Sequence, residues 1–394
     1  MFDRSLIHPK PKWFVSGLIL TTFLLSFNRA SAQEIAPNDY FIARVVAIEQ
    51  TTPVNETATE TIKQFRQKLT VRALTGQERG QTLTVPDYFA GSAESQLRPR
   101  ELVVATKVNS VEPAAYYVSA RFRLPATLGL LAVFLLAVFW VVGRRAWGSL
   151  AGLAFSFALL IFWVVPKIIA GQDPVTLALL AGLIIGSFGL ILAHGWYPRT
   201  LVSLLAIMLS LVLTYVLSSL AINLIGLQGI GSEEATFLLL SPAASVDLGG
   251  LLLAGIILGT LGVLDDIATA QAAVIDELFQ AAPHLSRAEL YRRGLSVGRE
   301  HVTSLVNTLI LAYAGASFPV FLLLHLNNQQ QPLWVSLNTD VLLEEIVRGL
   351  VGSIALILTV PIATWLAALL IPILSRQFPD WHGVAGESSH SHHH

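Results

Sequence analysis

Two patterns of apolar and polar positions divide this chain near residue 123. Beyond it come seven apolar runs separated by short polar breaks, at residues 125–142, 150–165, 174–193, 201–222, 248–264, 302–324 and 343–374. Each has the composition of a helix that crosses hydrocarbon, where roughly 20 apolar residues suffice. The last run is over-long and contains Pro361 and Pro372, so a kink, a tilt or an extension past the membrane is expected. Between residues 33 and 123 the pattern changes to short alternating or β-branched runs at 41–48, 68–73, 81–85, 102–108 and 116–120, punctuated by Gly76, Gly80, Pro86, Gly91 and Pro99. Short strands between turn signals predict a small barrel-like or sandwich-like β domain. About 90 residues can bury a modest core and fold alone. No paired catalytic groups stand out there, so binding or docking is the expected role.

The first 32 residues follow neither pattern. Lys10 and Lys12 precede an apolar run at 13–27, and Ala30-Ser31-Ala32 follows it. The run is short for a span, and the order of basic, apolar and small residues is that of a signal peptide. We favour a cleaved signal over a retained anchor; both place residues 33–123 outside the cytoplasm. The loop charges agree with this orientation. Arg144, Arg145, Arg199, Arg287, Arg292, Arg293, Arg299 and Arg376 then fall inside, against Lys167 and the helix-end Arg348 outside. This is the positive-inside bias of an inserted protein.

Composition sharpens the class. Hydrophobic residues make up 54% of the chain and charged residues 13%, against about 25% charged in soluble domains. Mean hydropathy is +0.63. The net charge of −1 gives no argument for a nucleic-acid partner, and zero cysteines exclude disulfides and thiolate chemistry. The expected fold is therefore a polytopic α-helical membrane protein of about seven transmembrane helices with a small N-terminal extracytoplasmic β-rich domain. Its parts are a signal at 1–32, the β-rich domain at 33–123, and a transmembrane domain at 124–376 with a cytoplasmic helical segment at 265–300. A His-rich cytoplasmic tail at 377–394 carries His390, His392, His393 and His394, read as a disordered end or a weak metal binder.

Candidate chemistry concentrates between residues 255 and 319. The fifth run carries Gly255, Gly259 and Gly262, the first two at the spacing that lets helices approach closely, and ends in Asp265 and Asp266. If the helix continues, Asp266, Thr269, Asp276 and Gln280 fall on one face at offsets of 3, 10 and 14, with Glu277 one position round. Such a strip suits a water-filled vestibule, a cation site or a proton path; the plainer alternative is an amphipathic helix on the membrane surface. Ser286 and Glu289 fit a capping box for the next helix. That helix leads through Arg299 and His301 into the sixth run, where His301, Ser304 and Thr308 share a face with Asn307 alongside. An amide so deep needs partners, and an interhelical hydrogen bond would serve as well as a ligand. Glu345 and Glu344 lie three and four residues before Arg348, the spacing of an ion-paired cap at the outer membrane edge.

At these residues the chain resembles the YibE/F family of bacterial membrane proteins. The matching stretches are Gly255-Ile-Ile-Leu-Gly259, Leu-Gly-Val-Leu-Asp-Asp266, Gln271 to Glu277, Gly298-Arg-Glu-His301, Asn307-Thr-Leu-Ile-Leu-Ala-Tyr313 and Glu345-Ile-Val-Arg348 to Pro361. The β-rich region and the run around Gly171-Gln-Asp-Pro174 fit as well. His301 stands where the family pattern leads us to expect an acidic residue, and Trp196-Tyr197-Pro198 is an unusual turn. The resemblance implies a multi-pass protein of the bacterial plasma (inner) membrane and no settled activity.

Of three functional readings we favour a secondary transporter, permease or export component. Asp265, Asp266, Glu277, Asn307 and Thr308 would bind ion or substrate. Gln271, Asp276, Arg299, His301, Ser304, Glu345 and Arg348 would support them, and Gly255, Gly259 and Gly262 would pack helices. No Walker motif is present, so ATP is not the driver in cis. The second reading is a membrane scaffold, sensor or assembly factor whose outer domain binds a partner. The third, least favoured, is a Mg²⁺-dependent enzyme acting on polyprenyl phosphates, with Asp265 and Asp266 as metal ligands. No cofactor is expected beyond a cation. The expected partners are the lipid bilayer, a second copy through the Gly255/Gly259 face and an outer protein held by residues 33–123.

Overall fold

Alternation of buried and exposed side chains is what draws the first part of the chain into a sheet. The computed structural model describes residues 39–53, 64–108, 115–195, 197–241, 246–327 and 332–377. The expected signal segment and the His-rich tail beyond Gln377 lie outside them. Two compact units divide between Leu136 and Ala137.

In the first unit β1 (Asp39–Pro53), β2 (Phe65–Ala73), β3 (Thr82–Ala90), β4 (Leu102–Val108) and β5 (Ala115–Arg121) form one antiparallel sheet in the order β3-β2-β1-β4-β5. The edge strands β3 and β5 curl toward each other, giving a half-barrel and not the sandwich. Phe41, Ala43 and Val45 on β1 meet Leu69 and Val71 on β2 and Val103 and Ala105 on β4 in its core. Two register shifts in the β1–β2 ladder bend the long β1, as extra residues in a strand do. The buried Gln67 accepts the Leu97 amide at 2.8 Å and fastens the loop after β3. Helix α1 (Leu124–Val142) follows and has no buried residue.

The second unit is helical. It contains α2 (Ala146–Ile169, with a wide turn at Leu160–Val164), α3 (Pro174–His194), α4 (Pro198–Ile225) and a short α5 (Glu233–Leu240). Then come α6 (Leu248–Ala281), α7 (Arg287–Ala316), α8 (Phe318–Asn327), α9 (Leu333–Leu337) and α10 (Asp340–Gln377). Six helices are long and apolar enough to cross a membrane, seven if α7 and α8 count as one broken span. The break is a 64° bend beside Pro319, which has no N–H to donate and clashes with the turn before it. Helix α6 is the most buried span, 56% of its most apolar stretch against 17% for α2, so it forms the centre of the bundle with α3, α4 and α10 around it.

The helix of the fifth apolar run continues past residue 264 into the polar segment: α6 is 34 residues long, about 51 Å at 1.5 Å per residue. Nothing from Val263 to Ala282 is glycine or proline, and the stretch is rich in good helix formers. It stops just before Pro283. Helix α7 then opens on Ser286 with the expected capping box, the Ser286 hydroxyl accepting from the Glu289 amide.

Within one chain, the glycines at close helix approaches are not the ones the GxxxG spacing picks out. Gly255, Gly259 and Gly262 are exposed; a Cβ at Gly255 or Gly262 would meet nothing within 4 Å, and one at Gly259 only the Tyr313 hydroxyl at 3.6 Å. Close approaches are found at Gly148 of α2, where a Cβ would lie 2.6 Å from the Leu192 carbonyl oxygen of α3, and at two glycines of α7. A Cβ at Gly294 would run into the Ile275 side chain, and one at Gly298 would lie 2.5 Å from Val360 Cγ1 and 3.0 Å from the Gln271 amide.

Two outcomes follow for stability. Gly298→Val will lower it by about 1–3 kcal/mol through overpacking, read as thermal unfolding in detergent, whereas Gly255→Val will leave it near wild type. Asp173 caps α3, accepting from the Thr176 amide at 2.8 Å and its hydroxyl at 2.5 Å; Asp173→Ala will cost about 1 kcal/mol. The same hydroxyl and amide hold the Asp173 carboxyl below its usual value. Its contribution is therefore complete above the ordinary carboxylate pKa and is lost as pH falls through the depressed one. The wild type and the Asp173→Ala variant will converge in stability at acid pH.

Candidate functional site

A cavity of about 320 Å³ opens between α3, α4 and α6. Its α6 wall carries Asp265, Asp266, Thr269, Ala270 and Ala273; its α4 wall carries Arg199, Thr200 and Ser203; Leu190 of α3 closes it. The uninterrupted course of α6 sets the first wall. Asp266, Thr269 and Ala273 recur at three- and four-residue spacing and so share a face. The second wall is the opening of α4, where Pro198 starts the helix and places Arg199, Thr200 and Ser203 in its first turns.

Several polar atoms there have no hydrogen bond of normal geometry. They are Asp265 Oδ1, Thr269 Oγ1 and Thr200 Oγ1, all buried. Thr200 is only 5% exposed. Ser203 differs: its hydroxyl donates to the Arg199 carbonyl of its own helix at 2.9 Å. The Arg199 guanidinium lies over the Tyr197 ring, 5.8 Å from its centre. Buried polar groups in proteins are nearly always paired, and three oxygens without a hydrogen bond of normal geometry lie around this one cavity. An ionised carboxylate only accepts hydrogen bonds, a guanidinium only donates them, and hydroxyls do both.

The expected site residues separate into five places. Asp265 and Asp266 line the cavity together. Asp276 and Glu277 lie about one turn beyond Ala273 on the same helix, outside the lining. Gln271 is buried on the other side of α6, accepting the Thr364 hydroxyl at 2.9 Å; it ties α6 to α10 beneath Gly298. Arg299, His301, Ser304, Asn307 and Thr308 are all exposed on α7, and none of them lines the cavity. The Thr308 hydroxyl turns back to the Ser304 carbonyl at 3.2 Å.

The depth of Asn307 is readable from its neighbours. Helix α7 touches Val360 of α10 at Gly298, and Tyr313 packs at Gly349 and Gly352. Asn307 lies between those levels, where α10 shows Ile354 and Ile357 on its outer surface. It is exposed at a depth where the outer side chains of α10 are aliphatic, and it has no partner among the described residues. Glu345 occupies the fifth place: it pairs with Arg348 at 2.6 Å and accepts the Ser317 hydroxyl at 2.7 Å. Glu344 takes no part in that pair. It is buried and accepts the Gly231 amide at 2.8 Å.

The residues that sequence reasoning missed are Arg199, Thr200 and Ser203. Arg199 counted only toward topology. The available signal was three polar residues at i, i+1 and i+4 in the opening of an otherwise apolar run. Among the described residues no group of three or more His, Cys, Asp and Glu side chains comes together as metal ligands.

Fold and site together define a bundle of helices able to cross a membrane, with a cavity lined by acidic, basic and hydroxyl residues where α3 ends and α4 begins beside α6. The chain belongs to the YibE/F-like family: the family model described as YibE/F-like protein matches residues 130–373, more than half of it. No curated protein and no solved structure matches the chain.

Gln271 and Asn307 make opposite predictions. Gln271→Ala removes a buried interhelical hydrogen bond and its packing and will lower stability by about 1–2 kcal/mol. Asn307→Leu removes an amide with no partner in its own chain and will leave stability within about 0.5 kcal/mol of wild type or raise it. Thermal unfolding of the two purified variants in one detergent checks both.

Proposed function

We propose that this YibE/F-like protein is a secondary transporter or permease component whose substrate binds in the cavity between α3, α4 and α6. The observation that carries the reading is that cavity. Two aspartates, an arginine and threonines whose hydroxyls have no hydrogen bond of normal geometry line one space between membrane-length helices, where polar groups are costly unless they serve a ligand or a path. Asp265 and Asp266 are its principal binding groups, with a cation as a candidate co-ligand. Asp276 and Glu277 extend the acidic strip toward the entrance. Asn307, Thr308, Ser304, His301 and Arg299 form a separate polar face on α7, which water or a second copy of the chain would cover.

The proposed setting is a plasma (inner) membrane. Residues 33–123 lie outside after a signal at 1–32, and the transmembrane domain occupies 124–376 with its C-terminus in the cytoplasm. The distribution of arginines supports that orientation. The half-barrel, with its own core, would dock an outer partner. In the competing reading the helices merely anchor that domain as a scaffold or sensor.

The absence of cysteine from the sequence permits a test that needs no substrate. A single Thr269→Cys variant is treated with membrane-impermeant maleimide in right-side-out and inside-out vesicles. A permease alternates its access, so the cavity cysteine will label from both sides, and Asp266→Asn will change the ratio. Labelling from the cytoplasmic side alone would sink the permease reading and leave the scaffold.

A further inference from the structure

The walls of the cavity carry opposite charge. Arg199 stands in the first turn of α4, whose amino terminus adds partial positive charge of the same sign. Across the space α6 presents Asp265 and Asp266. A bare cation drawn to the carboxylates would share the cavity with a guanidinium of its own sign. A bare anion drawn to Arg199 would face two carboxylates. A ligand that carries both charges would meet both walls.

Hydrogen bonding points the same way. Thr200 is 5% exposed, lines the Arg199 side of the cavity, and its Oγ1 has no partner. It can donate to an anionic oxygen beside the guanidinium. Asp265 Oδ1 has no hydrogen bond of normal geometry on the α6 wall and only accepts while ionised, so N–H donors of a ligand would suit it. Leu190, Ala270 and Ala273 complete the lining, leaving apolar room for a few carbon atoms. The volume of about 320 Å³ is at the small end of the range for organic ligands, roughly 300–1,000 Å³.

We propose that the cavity binds a small zwitterion, an ammonium and a carboxylate on a short aliphatic skeleton, with the ammonium against Asp265 and Asp266 and the carboxylate against Arg199 and Thr200. This assignment rests on the permease reading of the same cavity and names its substrate class.

The test is thermal unfolding of the full chain in detergent with glycine, L-alanine, L-valine and γ-aminobutyrate as probes. Propionate, propylamine, NaCl and MgCl₂ serve as single-charge comparisons. At least one amino acid will stabilise the protein saturably, and neither propionate nor propylamine will match it at equal concentration. Arg199→Gln and Asp265→Asn will each weaken that binding at least about tenfold, the loss of one charged hydrogen bond. Arg292→Gln, on the exposed surface of α7, will not. If either cavity variant does not fold, Thr200→Val and Asp266→Asn replace it. Three results would overturn the assignment: stabilisation by Na⁺ or Mg²⁺ that needs Asp265 but not Arg199, stabilisation by propionate that survives Asp265→Asn, or silence toward all four amino acids at tens of millimolar. Two-sided labelling of Thr269→Cys with no amino-acid response leaves the permease and removes its substrate class. Amino-acid binding with one-sided labelling does the reverse.

Discussion

Hydrocarbon supplies no hydrogen-bonding partner, so every polar group that a membrane-length helix carries to depth must be paired inside the protein, turned toward water or given to a ligand. The helical unit can be read as a set of answers to that demand along α6. Thr260 turns its hydroxyl back to the Ile256 and Ile257 carbonyls, at 3.0 Å each. Gln271 reaches sideways to Thr364 on α10. Asp265 and Thr269 do neither, and the space beside them is the cavity. The same helix is thus structural on one face and open on the other, and the difference lies in what each polar atom meets.

Helix α7 answers in a second way. Its inner face is small and apolar: Leu290, Gly294 and Gly298 are buried, and the absence of a Cβ brings α7 against Ile275, Gln271 and Val360. In lipid, apolar helices gain little from leaving the solvent, so close contact and dispersion take over much of the role that water plays elsewhere. Its outer face keeps Ser304 and Asn307 away from the bundle. Two polar strips that look adjacent in sequence, Asp265–Asp266 and His301–Thr308, therefore sit on different surfaces.

The half-barrel obeys the ordinary rules of water. Its strands alternate buried and exposed side chains, its ion pairs such as Lys107 with Glu78 at 2.7 Å lie toward the surface, and its one deeply buried amide, Gln67, is satisfied by the Leu97 backbone. A domain with its own core can evolve a binding face without disturbing the helices it is joined to.

Much of this was legible in the chain. Apolar length alone marks the spans, because crossing hydrocarbon is a one-dimensional requirement, and alternation marks the five strands for a similar local reason. The capping box at Ser286 and the acidic pair at Asp265 and Asp266 were also plain. Helix ends were less so: the continuation of α6 to Ala281 depended on the lack of any breaker after the polar pair, a weaker signal than polarity itself. The partners were not legible. Which face of an apolar helix turns inward is decided by neighbours far away in sequence, and a membrane helix has little hydrophobic asymmetry to reveal it. Only the tertiary structure could set Arg199 and Thr200 opposite Asp265 across some sixty-five residues of chain, give Gly294 and Gly298 the close contacts in place of Gly255 and Gly259, and turn Asn307 outward.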